Sequence, residues 1–153
     1  MNIEYKDNTQ KFIKSLSFRY GKAKTLSKNA LKLGLTDYSS YIQKEQMTGR
    51  PGLKVGTGDL RRSWFVTNAN NIGNDFSVKL ATRSVYARIH QFGGIIKAKT
   101  AKYLKFKING SWISKKQVTI PKRLMVYEEF ETKGKDFILD RLNHAISIFT
   151  KTK

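Results

Sequence analysis

Cysteine is absent from this chain of 153 residues, and with it go disulfides and thiolate metal centres. Histidine occurs only at His90 and His144, too few imidazoles for a structural zinc site. Acidic residues are scarce, 11 Asp and Glu against 30 Lys and Arg, which gives a formal net charge of +19. Few carboxylates remain from which to build a hydrolytic or two-metal centre. Long apolar runs are also missing, Leu124 to Tyr127 being typical of what there is, and Met1 to Gln10 is polar. Neither a membrane span nor a secretory leader is predicted, and the expectation is a soluble protein that stays in the compartment where it is made. The Gly-rich stretch from Gly49 to Gly58 lacks the Gly-Lys-Ser/Thr ending of a phosphate cradle, and no Gly-x-Ser-x-Gly occurs. No cofactor, metal or catalytic constellation is expected, and the chain reads as a non-enzyme.

What is present is positive charge, and its distribution is uneven. Between Phe76 and Tyr127 no acid occurs, while Lys79, Arg83, Arg88, Lys97, Lys99, Lys102, Lys105, Lys107, Lys115, Lys116, Lys122 and Arg123 do. A second acid-free stretch, Asn8 to Thr36, carries Lys11, Lys14, Arg19, Lys22, Lys24, Lys28 and Lys32. The acids gather as Glu128, Glu129, Glu131, Asp136 and Asp140. One face or end should be strongly positive and attract polyanions or acidic protein surfaces.

Apolar spacing from Phe12 through Leu16, Tyr20, Ala23 and Ala30 to Leu33 predicts an amphipathic helix stopped at Gly34, and Asp37 could cap a shorter one reaching Met47. Residues 48–58 read as the longest loop. Trp64 to Thr67 is dense in strand formers, and Phe76, Val78 and Leu80 alternate with polar neighbours, so the two segments pair most simply as a hairpin across a turn-rich connector from Asn68 to Asp75. Val85 to Gly94 predicts a short buried helical elbow with Val85, Ile89 and Phe92 on one stripe, stopped by Gly93 and Gly94. A basic hairpin over 97–120 follows, with Leu104, Phe106 and Ile108 alternating with Lys105 and Lys107, a type I′ turn at Asn109-Gly110, and Pro121 ending the ladder. Ile138, Leu142, Ala145, Ile146 and Phe149 mark a final helix from about Lys133 to Thr150. With no repeat or low-complexity linker, residues 1–153 form one domain. The fold class is α+β, an antiparallel sheet of about five strands packed against long N-terminal and C-terminal helices.

The elbow Tyr86-Ala-x-Ile89-His90-x-Phe92-Gly93-Gly94, the upstream Thr57-Gly58-x-Leu60-Arg61 segment and the downstream run from Lys115 to Pro121 together resemble the phage virion morphogenesis family, the tail-completion proteins of tailed bacteriophages. The likeness covers residues 45 to 125. It departs after Pro121, where Lys122-Arg123-Leu124-Met125 stands in place of an Ala-Arg-Pro-Phe-type corner. The resemblance implies a subunit of a homo-oligomeric ring, hexameric in the family, at the neck of the virion. Its partners would be portal or head-completion proteins and tail-tube or terminator proteins, reached during assembly in the host cytoplasm. Thr57, Gly58, Leu60, Arg61, Tyr86, Ile89, His90, Phe92, Gly93, Gly94 and Pro121 would be structural. Lys97, Lys99, Lys102, Lys105, Lys107, Lys115, Lys116, Lys122 and Arg123 would face genomic DNA in the lumen, contacting phosphate without reading sequence, or dock an acidic neighbour. His90 reads as a packing residue, the nearest acids in sequence being Asp75 and Glu128. A different class, a general nucleic-acid-binding protein, would use the same charge with Trp64, Tyr103, Phe106 and Trp112 as stacking aromatics.

Overall fold

A single helix of 37 residues, α1 (Thr9–Glu45), runs through the point where the sequence suggests a break. The structure, a computed structural model, describes residues 9–49, 53, 56–68, 70–72 and 75–151. Gly34 does not stop α1 but lies buried where α5 (Lys135–Lys151) crosses it, and a Cβ added there would sit 2.8 Å from the Ile138 Cα. Asp37 is likewise spent on the same contact rather than on a cap, accepting from the Arg141 Nε at 2.6 Å. Close approach of two helices needs a residue without a side chain at the crossing, and that need outweighs the weak helix propensity of glycine.

Below that crossing α1 enters the core. Tyr38 and Ile42 are fully buried with Leu124, beside Met47, Leu53 and Val126. The Tyr38 hydroxyl donates to the Val126 carbonyl at 2.5 Å, and its ring meets Phe130 edge-on at 5.5 Å. Burial, followed by the negative charge of Glu129, pushes the phenol well above its ordinary pKa, so it stays a donor.

The strands number eight among the described residues and pair two by two in antiparallel ladders, rather than joining one sheet of about five. After a single turn, α2 (Asp59–Arg62), they form two hairpins. In the first, β1 (Trp64–Val66) pairs with β4 (Leu80–Thr82), and β2 (Asn70–Ile72) pairs with β3 (Asp75–Ser77) at the far end. The expected hairpin is there, with strand structure extending into the connector. In the second, β5 (Gly94–Lys97) pairs with β8 (Gln117–Ile120) and β6 (Leu104–Ile108) with β7 (Ser111–Lys115), around a turn in which Asn109 and Gly110 take φ of 49° and 84°. Residues 98–103 bulge from one strand opposite Lys116 alone. Among the described residues no third strand pairs with either hairpin, and Leu104, Phe106 and Ile113 are only half-buried.

Between the hairpins, α3 (Ala87–Phe92) is the elbow, but its buried face is not the expected stripe. Ala87 and Gln91 turn inward, while Val85 and Phe92 are 82% and 62% exposed. Val85 precedes the six-residue helix, and two hydrogen bonds of Gln91 orient the rest. The chain then becomes helical earlier than expected, in α4 (Val126–Glu129), a wide π-helical turn at Phe130–Gly134, and α5. Of the loop expected over 48–58, residues 50–52, 54 and 55 lie outside the described residues. Among the described residues no helix is long and apolar enough to cross a membrane.

The two helical glycines of α1 should respond with opposite signs. Gly34→Val is expected to cost about 1–3 kcal/mol by overpacking against Ile138, whereas Gly21→Ala, with nothing within 4 Å of a Cβ, should gain about 0.5–1 kcal/mol. Urea denaturation followed by circular dichroism measures both; a gain at both positions would show that Gly34 is no packing contact.

Candidate functional site

Two side chains remote in sequence hold the start of the C-terminal helical arm. A helix begins with backbone N–H groups that have no partner inside it, and usually a neighbouring Ser, Thr, Asp or Asn accepts from one. Here glutamines do so from afar. The Met125 N–H donates to Gln46 Oε1 at 2.8 Å, and the Val126 N–H donates to Gln91 Oε1 at 3.0 Å. Each amide group then donates outward, Gln46 to Glu129 and Gln91 to Glu128, both at 2.9 Å. Both glutamines are buried. The His90 carbonyl adds a third tie, accepting from the Arg123 and Leu124 N–H groups at 2.8 and 2.9 Å.

The elbow motif is therefore a clamp, and its remaining residues divide between two sides. Gly93 has φ of 72°, and a Cβ there would lie 3.1 Å from both the Ile120 oxygen and the Lys122 nitrogen, so a side chain would be strained and crowded against backbone. Gly94 starts β5, Pro121 follows β8, and Ile89 is half-buried. Phe92 stacks on Tyr127 with ring centroids 5.8 Å apart. On the other side, Tyr86 and His90 share a cleft of about 540 Å³ with Thr57, Gly58, Leu60 and Arg61, so the fold brings the two motifs together. Thr57 donates to Asp59 at 2.5 Å, and Asp59 pairs with Arg62 at 2.9 Å, which holds the Asp59 carboxyl below its ordinary pKa. His90 has its Nδ1 buried without a partner among the described residues. Desolvation, followed by the Arg123 charge, lowers its pKa and favours the neutral ring. Among the described residues no carboxylate bonds to that ring, and no group of three or more His, Cys, Asp or Glu is arranged to hold a metal ion.

The charged residues named from the sequence form an arm rather than a pocket. Lys97, Lys99, Lys102, Lys105, Lys107, Lys115 and Lys116 are all exposed on the second hairpin, and none belongs to an ion pair among the described residues. Lys122 and Arg123 belong elsewhere, at the clamp. Lys122 bridges to Glu128 and Arg123 gives its N–H to His90. Cross-strand register sorts the hairpin into faces. Leu104, Phe106, Ile108 and Ile113 share one; Lys105, Lys107, Trp112 and Ser114 share the other. The Lys107 Nζ lies 5.0 Å from the centroid of Trp112, which is 70% exposed. Of the other aromatics considered for stacking, Trp64 and Phe106 are partly buried, while Tyr103 is open and has Lys102 over its ring. Nothing in the residues around Gln46 signals a helix cap, whereas Gln91 stands out as a polar residue inside an apolar elbow.

Compared with known proteins, the chain matches no family model, no curated protein and no solved structure.

Polyanion binding by the lysine face should be weak and steeply salt-dependent. Lys105→Gln with Lys107→Gln is expected to reduce the slope of log affinity against log salt by about 2 on duplex DNA, measured by titration at several salt concentrations. An unchanged slope would remove this face from the binding surface.

Proposed function

We propose that the protein is a non-enzymatic virion assembly subunit of a tailed bacteriophage, a tail-completion or neck protein that forms a homo-oligomeric ring joining the tail to the DNA-filled head. The observation that carries this reading is the second hairpin. It is a two-stranded ribbon with both faces largely open and with seven lysines and no acid, and among the described residues none of these lysines joins an ion pair and no other element packs extensively against it. An isolated two-stranded hairpin is marginal in water, and such a ribbon gains support from a neighbour. The order and spacing of the tail-completion-like motifs point the same way, as does their convergence on one elbow. In the ring, lysines facing the lumen would hold phosphate diffusely and let DNA slide, while apolar faces would seal subunits to each other and to portal or tail-tube rings.

A second reading, a general nucleic-acid-binding protein, is favoured by Trp112, exposed beneath a lysine as a stacking platform would be. It requires tight binding of single strands by the isolated monomer that is lost in Trp112→Ala. The assembly reading is tested by negative-stain imaging of particles made without this chain. Separate tails and filled heads that have failed to join are the expected result; intact virions with tails attached would overturn it.

A further inference from the structure

The cleft of about 540 Å³ between the Thr57 to Arg61 segment and the elbow is lined by positive groups that lack partners. Arg61 is half-buried on its wall, and its guanidinium joins no ion pair or hydrogen bond among the described residues. The guanidinium of Arg83, also lining the cleft, lies over the Phe65 ring, 5.0 Å from its centroid, and has no carboxylate partner among the described residues. The one acid among the lining residues, Asp59, is committed to Arg62 at 2.9 Å and to Thr57. Residues 48–58 add Arg50 and Lys54 to this part of the chain and contain no acid. His90 lines the cleft too, with its Nδ1 buried and unpartnered among the described residues. A guanidinium is always charged and carries five donors in a planar fork, so one withdrawn from water calls for an anion. The floor has a different character. Met47 and Leu53 are buried there with Leu60 packed against them, and Val85, 82% exposed, stands at the edge.

We propose that this cleft binds an acidic, apolar peptide segment of a partner protein, with an Asp or Glu carboxylate taken by Arg61, Arg83 adding its charge, and a flanking apolar side chain on Met47, Leu53 and Leu60. A carboxylate meets the guanidinium fork bidentately, the strongest kind of hydrogen-bonded pair available to it. Phosphate would satisfy the arginines as well but would leave the apolar floor in contact with water, whereas an acidic residue flanked by apolar ones satisfies both. The cleft lies on the body of the molecule and is a different surface from the lysine-bearing hairpin. The hairpin attracts polyanions diffusely; the cleft selects one carboxylate in an apolar setting. The inference does not rest on the ring-forming reading and stands or falls apart from it.

The test is a titration of the isotope-labelled full chain, followed by nuclear magnetic resonance, with three probes: the end-capped tripeptide Leu-Glu-Leu, its Leu-Gln-Leu counterpart, and inorganic phosphate. The expected result is saturable, millimolar binding of the glutamate tripeptide. Shifts should appear at the backbone amides of residues 57–61, 83–86 and 90 and at the Arg61 Nε–H. Binding should be about tenfold weaker for the glutamine tripeptide, and weaker by a similar factor in Arg61→Gln, since each change removes one charge-assisted pair. Arg83→Gln, at an exposed position that leaves the core intact, should weaken it about threefold and serves if Arg61→Gln does not fold. Equal binding of the two tripeptides, shifts confined to the lysine hairpin, or no saturable binding at all would overturn the proposal. Phosphate binding in the cleft as tightly as the glutamate tripeptide would overturn it in favour of an inorganic or nucleic-acid anion. Cleft shifts that follow protein concentration without any probe would overturn it in favour of a second copy of this chain.

Discussion

The amide groups of Gln46 and Gln91 hold the molecule in register. Each accepts from one of the backbone N–H groups at residues 125 and 126 and donates to a glutamate in the next turn. One comes from the end of α1 and the other from the elbow, so the start of the C-terminal helical arm is tied to both. Buried backbone donors left without acceptors would cost about 1–3 kcal/mol each. With the Tyr38 hydroxyl on the Val126 carbonyl, the corner joins α1, α3 and α4 by polar contacts inside an apolar core. The C-terminal arm then runs back along α1, where Gly34 admits Ile138 and Asp37 meets Arg141.

From that corner two arms of opposite character depart. The helical one carries the acids from Glu128 to Asp140 and is packed along its length on α1. The other, the second hairpin, carries lysines and is supported chiefly by its own cross-strand pairs. A chain whose charge is separated in this way, and whose polar ties are concentrated at one corner, has a consolidated body and an arm that lacks a cover of its own. The proposed assembly role follows from that imbalance.

How much of this was legible from the residues depends on whether the signal was local. Asn109-Gly110 specified its turn, the alternation of Leu104, Lys105, Phe106 and Lys107 specified a strand, and the apolar spacing of Ile138, Leu142 and Ala145 specified a helix, because turn chemistry and periodicity act over a few residues. Gly34 was misread because a glycine that ends a helix and one that admits a crossing helix look alike until the partner is known. The stripe of Val85, Ile89 and Phe92 misled because the helix is too short for periodicity to govern it, and Gln91, held by groups more than thirty residues away, decides which side faces inward. The expected single sheet failed for a related reason. Strand pattern gives the alternation of sides but not the number of neighbours. At the candidate site, the lysines of the arm were legible as a composition, but Lys122 and Arg123 belonged to the clamp. The meeting of the Thr57 to Arg61 segment with Tyr86 and His90 was not visible in spacing at all.

The proposed assembly role requires that the second hairpin be completed by a neighbour and not by its own chain. Amide hydrogen exchange over residues 94–120, followed in dilute monomer and in the assembled form, tests it most directly. Rapid exchange through the hairpin is expected in the monomer, beside protected amides in α1 and α5, with a strong gain of protection at 104–115 on assembly. Equal and slow exchange of the hairpin in both forms would contradict it.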